Sequence, residues 1–165
     1  MEPRAQLNTY LNDHRAGAAA GTDLARHIWE TNQSSEWAPV LSRVAAEIRA
    51  EKEVLDGVRS AAGAAGGLLR RVAAVTLEQA SRVRMSAGMG ESSFGRVSKL
   101  EALMSGIQAK QRLWATLRIM SQSDPELAGF DFLGLERQSA EQLRSLGEVH
   151  EWAVQKALNQ PTVSP

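Results

Sequence analysis

Trp37-Ala38-Pro39-Val40-Leu41-Ser42-Arg43-Val44-Ala45-Ala46-Glu47-Ile48-Arg49-Ala50-Glu51-Lys52-Glu53-Val54-Leu55-Asp56-Gly57-Val58 is the stretch whose reading decides the fold. Trp37, Val40, Leu41, Val44, Ile48, Glu51, Leu55 and Val58 recur at spacings of three and four, with Val40 and Leu41 side by side, so they share one face of an α-helix. A half-buried strand would alternate instead. Pro39 is tolerated only in or near the first turn, which puts the helix start there, with Ser34 or Ser35 as the expected cap. The helix ends before Ala61-Ala62-Gly63-Ala64-Ala65-Gly66-Gly67, a low-complexity connector. Neither half of the chain could bury a core alone, so the connector reads as a loop within one domain.

The same periodicity extends in both directions. From Pro3 to about Thr31, Leu7, Tyr10, Leu11, His14, Ala18, Gly21, Ala25 and Ile28 form one stripe, and Gly17-Ala18-Ala19-Ala20-Gly21 makes a smooth small-residue surface. A third helix is expected from Leu68 to about Ser86, stopping at Gly88-Met89-Gly90. A fourth runs from Ser93 to about Gln122 with Val97, Leu100, Met104, Ile107, Trp114 and Leu117 inward, and Asp124-Pro125 closes it. Asp131 caps a fifth, whose stripe is Phe132, Leu135, Leu143, Leu146, His150, Val154 and Ala157. Residues 159–165 form a frayed tail. Short loops make sequential helices antiparallel, so the expected fold is all-α: an antiparallel up-down bundle of about five helices in one domain over 1–165.

Composition agrees. At 165 residues the chain can bury a core unaided, and its 43% hydrophobic content is rich in Ala and Leu with only 5% aromatics. Lys plus Arg equals Asp plus Glu at 19 each, so no global field recruits nucleic acid or an anionic membrane. The absence of Cys excludes disulfides and thiolate chemistry. With no signal-like start and no long apolar run, the expectation is a soluble cytoplasmic protein.

Ionisable residues in the apolar stripes are the candidate site. His14, Glu51 and His150 each fall near the centre of such a face. His14 and Glu51 are symmetric about the Asn32-Gln33 junction, which predicts that they stand level in a hairpin. The same count through the later turns brings Glu101 to nearly that height, with His150 within about one turn. Glu101 on the flank of its stripe and Glu47 one turn from Glu51 complete the set. Imidazoles and carboxylates converging in a bundle are ligands for divalent zinc, manganese or iron. The competing reading is a buried His–Glu pair that only sets register. Leu11, Leu24 and Gly147 stand three residues before His14, His27 and His150, so the Glu-x-x-His pairs of bridged di-iron bundles are absent.

Other chemistry is sparse. No nucleophile elbow occurs, and Gly88-Met89-Gly90-Glu91 lacks the Lys and Ser/Thr of a phosphate loop. His27 reads as a boundary residue. Arg70, Arg71, Arg82, Arg84, Arg96 and Lys99 make a basic stretch that reads as a solvated face or a contact with an acidic partner.

Tyr10-Leu11-Asn12-Asp13-His14-Arg15-Ala16-Gly17, with Leu100-Glu101-Ala102-Leu103 leading to Gly106-Ile107, Lys110 and Leu113-Trp114, resembles a group of small uncharacterised helical proteins from actinobacteria and related bacteria. The resemblance implies a ferritin-like four-helix core with an added helix, and it adds Tyr10 and Lys110 to His14 and Glu101 as positions of interest. The functional expectation is a non-catalytic bundle acting through self-association or a protein partner. The alternative is a ferritin-like metal-binding protein with His14, Glu51, His150, Glu101 and Glu47 around a divalent ion. A third reading places an apolar or cofactor ligand between the helices. Neither a membrane nor nucleic acid is an expected partner.

Overall fold

The computed structural model describes residues 3–63 and 92–159. Four helices lie among them: α1 (Pro3–Glu30), α2 (Ala38–Ala61), α3 (Ser93–Met120) and α4 (Phe132–Leu158). No strand occurs among the described residues. The helix expected over 68–86 and the tail from 160 onward lie outside them. No helix among the described residues is long and apolar enough to cross a membrane.

Local chemistry sets the helix boundaries. Pro39 falls in the first turn of α2, but the cap position belongs to Trp37, which makes no side-chain capping bond. Ser35 does not cap because its hydroxyl donates to the Asn32 carbonyl at 2.7 Å within the preceding turn. Ser92 Oγ accepts from the Gly95 N–H at 3.0 Å and starts α3. Asp131 Oδ1 accepts from the Gly134 N–H at 2.9 Å and starts α4, at the expected residue.

Side-chain pairs fix the helix directions. Asn12 meets Arg59 and Arg15 meets Asp56, so α1 and α2 run antiparallel. Arg118 meets Glu136, Lys110 meets Gln142 and Glu101 meets His150, so α3 and α4 do too. α1 packs on α3, where His27 reaches Lys99, and α2 touches α4, where Arg43 reaches Ser145. The four described helices therefore enclose one bundle in which α2 and α3 run in the same direction. Ala62 joins the hydrophobic cluster around Leu7 and Leu117, whereas Ser92 stands by Thr31 and Asn32.

The core comes in two apolar clusters. One holds Leu24, Ile28, Leu41, Val44, Ile48, Leu100, Leu103, Ile107, Leu146 and Val149. The other holds Leu7, Leu11, Leu55, Val58, Leu113, Trp114, Leu117, Leu127 and Phe132. Trp114 stacks on Phe132 with ring centroids 6.2 Å apart. Each large aliphatic side chain fully removed from water stabilises the bundle by about 1.5–3 kcal/mol.

The face that α4 buries differs from the expected stripe. Phe132, Ser139, Gln142, Leu146, Val149 and Ala153 are buried, and His150 stands one position round the helix from Val149. These residues also step by three and four. Phe132 and Leu146 are shared with the expected stripe; Ser139 and Gln142 were passed over as polar, which turned the expected face towards His150 and Val154 and away from Val149 and Ala153.

Candidate functional site

Between the two clusters lies a polar layer. Glu51 of α2, 2% exposed, accepts from the Lys110 ammonium of α3. Lys110 Nζ also donates to Gln142 Oε1 of α4 at 2.9 Å. The Gln142 amide nitrogen in turn donates to Glu51 Oε1 at 3.1 Å and to Glu47 Oε2 at 3.0 Å. Arg43 holds the other oxygen of Glu47 at 3.0 Å. Three helices thus contribute to one closed network, with Ile48 and Leu55 one turn to either side on α2 and Ile107 and Leu113 on α3. A buried polar group without a partner is costly, so this layer accepts one axial register of the three helices and penalises others.

The electrostatics follow from burial. Burial, the largest effect, raises the Glu51 pKa above the ordinary carboxylate value, while the charge and hydrogen bond of Lys110 pull it back. Burial likewise lowers the Lys110 pKa, opposed by the charge of Glu51. Each group makes the other's charge tolerable.

On one side this layer opens onto a cavity of about 610 Å³ among α1, α2 and α3. Its α1 wall is the small-residue run Ala16, Gly17, Ala18, Ala20 and Gly21, and its α3 wall includes Ala102, Gly106 and Ala109. Side chains this short cannot fill the space between two helices, and a Cβ added at Gly21 or Gly106 would meet nothing within 4 Å. Tyr10, His14, Glu51 and Lys110 give the cavity its polar groups, and Trp114 closes one part of it. The Trp114 indole nitrogen is buried without a hydrogen-bond partner. His14 packs edge-on against Tyr10 at 4.6 Å between centroids. Burial lowers its pKa, with the charge of Asp13 opposing.

The sequence-derived candidates therefore separate into groups. Tyr10, His14, Glu51 and Lys110 line one cavity, and Glu47 joins it through Gln142. Glu101 and His150 pair with each other at 3.1 Å, with the Glu101 side chain 60% exposed. Glu101 precedes Lys110 by nine residues, about 13 Å along α3, so that pair belongs to another level of the bundle. Among the described residues no three His, Asp or Glu side chains gather where they could hold a metal ion. An ammonium already stands between Glu51 and Gln142, where a bound cation would draw the same oxygens.

The α1–α2 register differs from the symmetric count. Asn12–Arg59 and Arg15–Asp56 are centred between residues 35 and 36, so the position across from Glu51 is nearer Ala20 than His14. The turn runs over 31–37 and is centred on residue 34, and side chains lean towards their own N-termini, which shifts contacts further. Gln142 was missed as a site residue, although its spacing from Leu146 and Val149 was the available signal. Compared with protein-family models, with curated proteins and with solved structures, the chain matches none.

Proposed function

We propose that this protein is a non-catalytic binding bundle whose cavity among α1, α2 and α3 takes one small, mostly apolar molecule with a polar end. The observation that carries this reading is the cavity of about 610 Å³, within the range of small-molecule sites and lined by small side chains with a few convergent polar ones. The apolar body of the guest lies along Gly17, Gly21, Ala102 and Gly106, and its polar end faces Tyr10, His14 and Lys110. Catalysis is not part of the proposal: Ser105 donates its hydroxyl to the Glu101 carbonyl at 2.9 Å, and His14 is packed on Tyr10. A resident metal is not part of it either, because Lys110 supplies the cation that Glu51 needs. The ferritin-like core that the resemblance implies remains part of this proposal, supported by four long helices packed against one another.

Titration of the full chain with Nile red tests this directly. One saturable site that is lost in Gly106→Leu, with helical circular dichroism unchanged, is the expected result. Absence of saturation, or equal binding by the folded variant, would overturn the reading.

A second reading, docking of another copy or another protein, draws on four exposed apolar side chains. Phe94 and Leu158 stand at one end of the α3–α4 hairpin, and Ile119 and Leu133 at the other. Sedimentation of the chain alone against Phe94→Ser and Ile119→Ser tests it. A concentration-dependent dimer that these changes dissolve supports it, and a monomer at all concentrations removes self-association.

A further inference from the structure

A smaller cavity, of about 110 Å³, lies where the end of α1 meets the start of α3, lined by Ile28, Thr31, Asn32, Ser92, Arg96 and Lys99. Arg96 and Lys99 belong to the basic stretch expected to form a solvated face or a contact with an acidic partner, whose Arg70, Arg71, Arg82 and Arg84 lie outside the described residues, but Lys99 is only 7% exposed. Its Nζ meets His27 Nε2 at 3.1 Å, and Arg96 lies over the Trp152 ring at 5.5 Å. Each lacks a carboxylate partner among the described residues, unlike Lys110. Among the described residues the buried Lys99 ammonium meets an imidazole nitrogen and the C-terminal end of α1 but no carboxylate, and burial of charge is expensive without a full counter-charge.

We propose that this cavity is a binding site for a phosphate group. Lys99 supplies a point charge and Arg96 a planar set of donors suited to phosphate oxygens. The positive N-terminal end of α3 and the negative C-terminal end of α1, each helix 28 residues long, both border the cavity and offset one another, so the two basic side chains carry the attraction. The volume takes one tetrahedral oxyanion and excludes a nucleoside, so any larger part of the ligand stays outside. The site is independent of the cavity beside Glu51: it shares no lining residue with it.

Calorimetric titration of the full chain with inorganic phosphate, and separately with glycerol phosphate, tests the proposal at constant ionic strength set by sodium chloride. Saturable binding of one equivalent is expected, weakened about tenfold or more in Arg96→Gln and in Lys99→Met, as for loss of a hydrogen bond to a charged group. Arg144→Gln, on the exposed face of α4, leaves it unchanged. Tighter binding of glycerol phosphate assigns the head group of a monoester, and tighter binding of the inorganic ion assigns the free anion. Lys99→Met removes a buried side chain, so Arg96→Gln, at a half-buried position, decides the matter if that variant does not fold. Heats equal to those of sodium chloride for both probes, or full binding by folded Arg96→Gln, would overturn the site.

Discussion

Lys110 and Glu51, on different helices, form an ion pair inside the bundle, and Gln142 from a third helix bonds to both. Removing one member leaves the other's charge buried alone. Lys110→Met and Glu51→Leu should each destabilise the protein by about 3–5 kcal/mol, whereas the double variant should cost clearly less than their sum. Urea denaturation of the four proteins of this cycle gives the coupling. Additive losses would show that the two side chains do not act as a pair.

The same pair imposes a pH dependence. Because Glu51 has a raised folded pKa, its favourable contribution is fully present below the unfolded carboxylate value, about 4.3. It is lost as pH rises through the folded value. Glu51→Gln should flatten this fall between acid and neutral pH. Lys110→Met should steepen it, since loss of the ammonium raises the carboxyl further. Urea midpoints at several pH values report the slope.

His14 has the opposite sign. Its depressed folded pKa means that its stabilising contribution is present above about pH 6.5 and is lost as pH falls through the folded value. In a proton NMR titration, His14 should titrate below the ordinary imidazole value, and replacement by Gln should remove that part of the acid destabilisation.

Glycines lining the larger cavity separate stability from binding. Gly21, Gly106 and Gly147 are all helical with no atom within 4 Å of an added Cβ, so Ala at each should stabilise by about 0.5–1 kcal/mol. Only Gly21→Ala and Gly106→Ala narrow the cavity and should weaken Nile red, with Gly147→Ala unchanged. Thermal melts and dye titrations of the same three proteins give both readouts.

The cap of α4 can be removed in two ways. Asp131→Ala deletes the acceptor for the Gly134 N–H and should cost about 1 kcal/mol. Gly134→Ala should cost a similar amount, because its Cβ would stand 2.9 Å from the Asp131 carboxyl carbon and push the cap away. Combining them should add little, which denaturation can measure.

The sequence by itself determined the helical class, the start of α4 at Asp131 and the place of Pro39 in the first turn of α2. These are local: period, capping chemistry and proline geometry act within a few residues. It also marked Glu51 as an ionisable residue in an apolar stripe, because a 100° step makes such a misfit visible. The partner of Glu51 was not legible. Lys110 lies 59 residues away and Gln142 91 away, and an error of three residues in the centre of one turn shifts the facing position by six residues, about 9 Å or more than one helical turn. Only the tertiary structure decided that an ammonium and an amide complete Glu51, that Glu101 and His150 pair apart from it, and that the small-residue run of α1 borders a cavity. Which side chains meet depends on the summed offsets of every turn and on the lean of side chains along their helices, and neither is a property of any one segment.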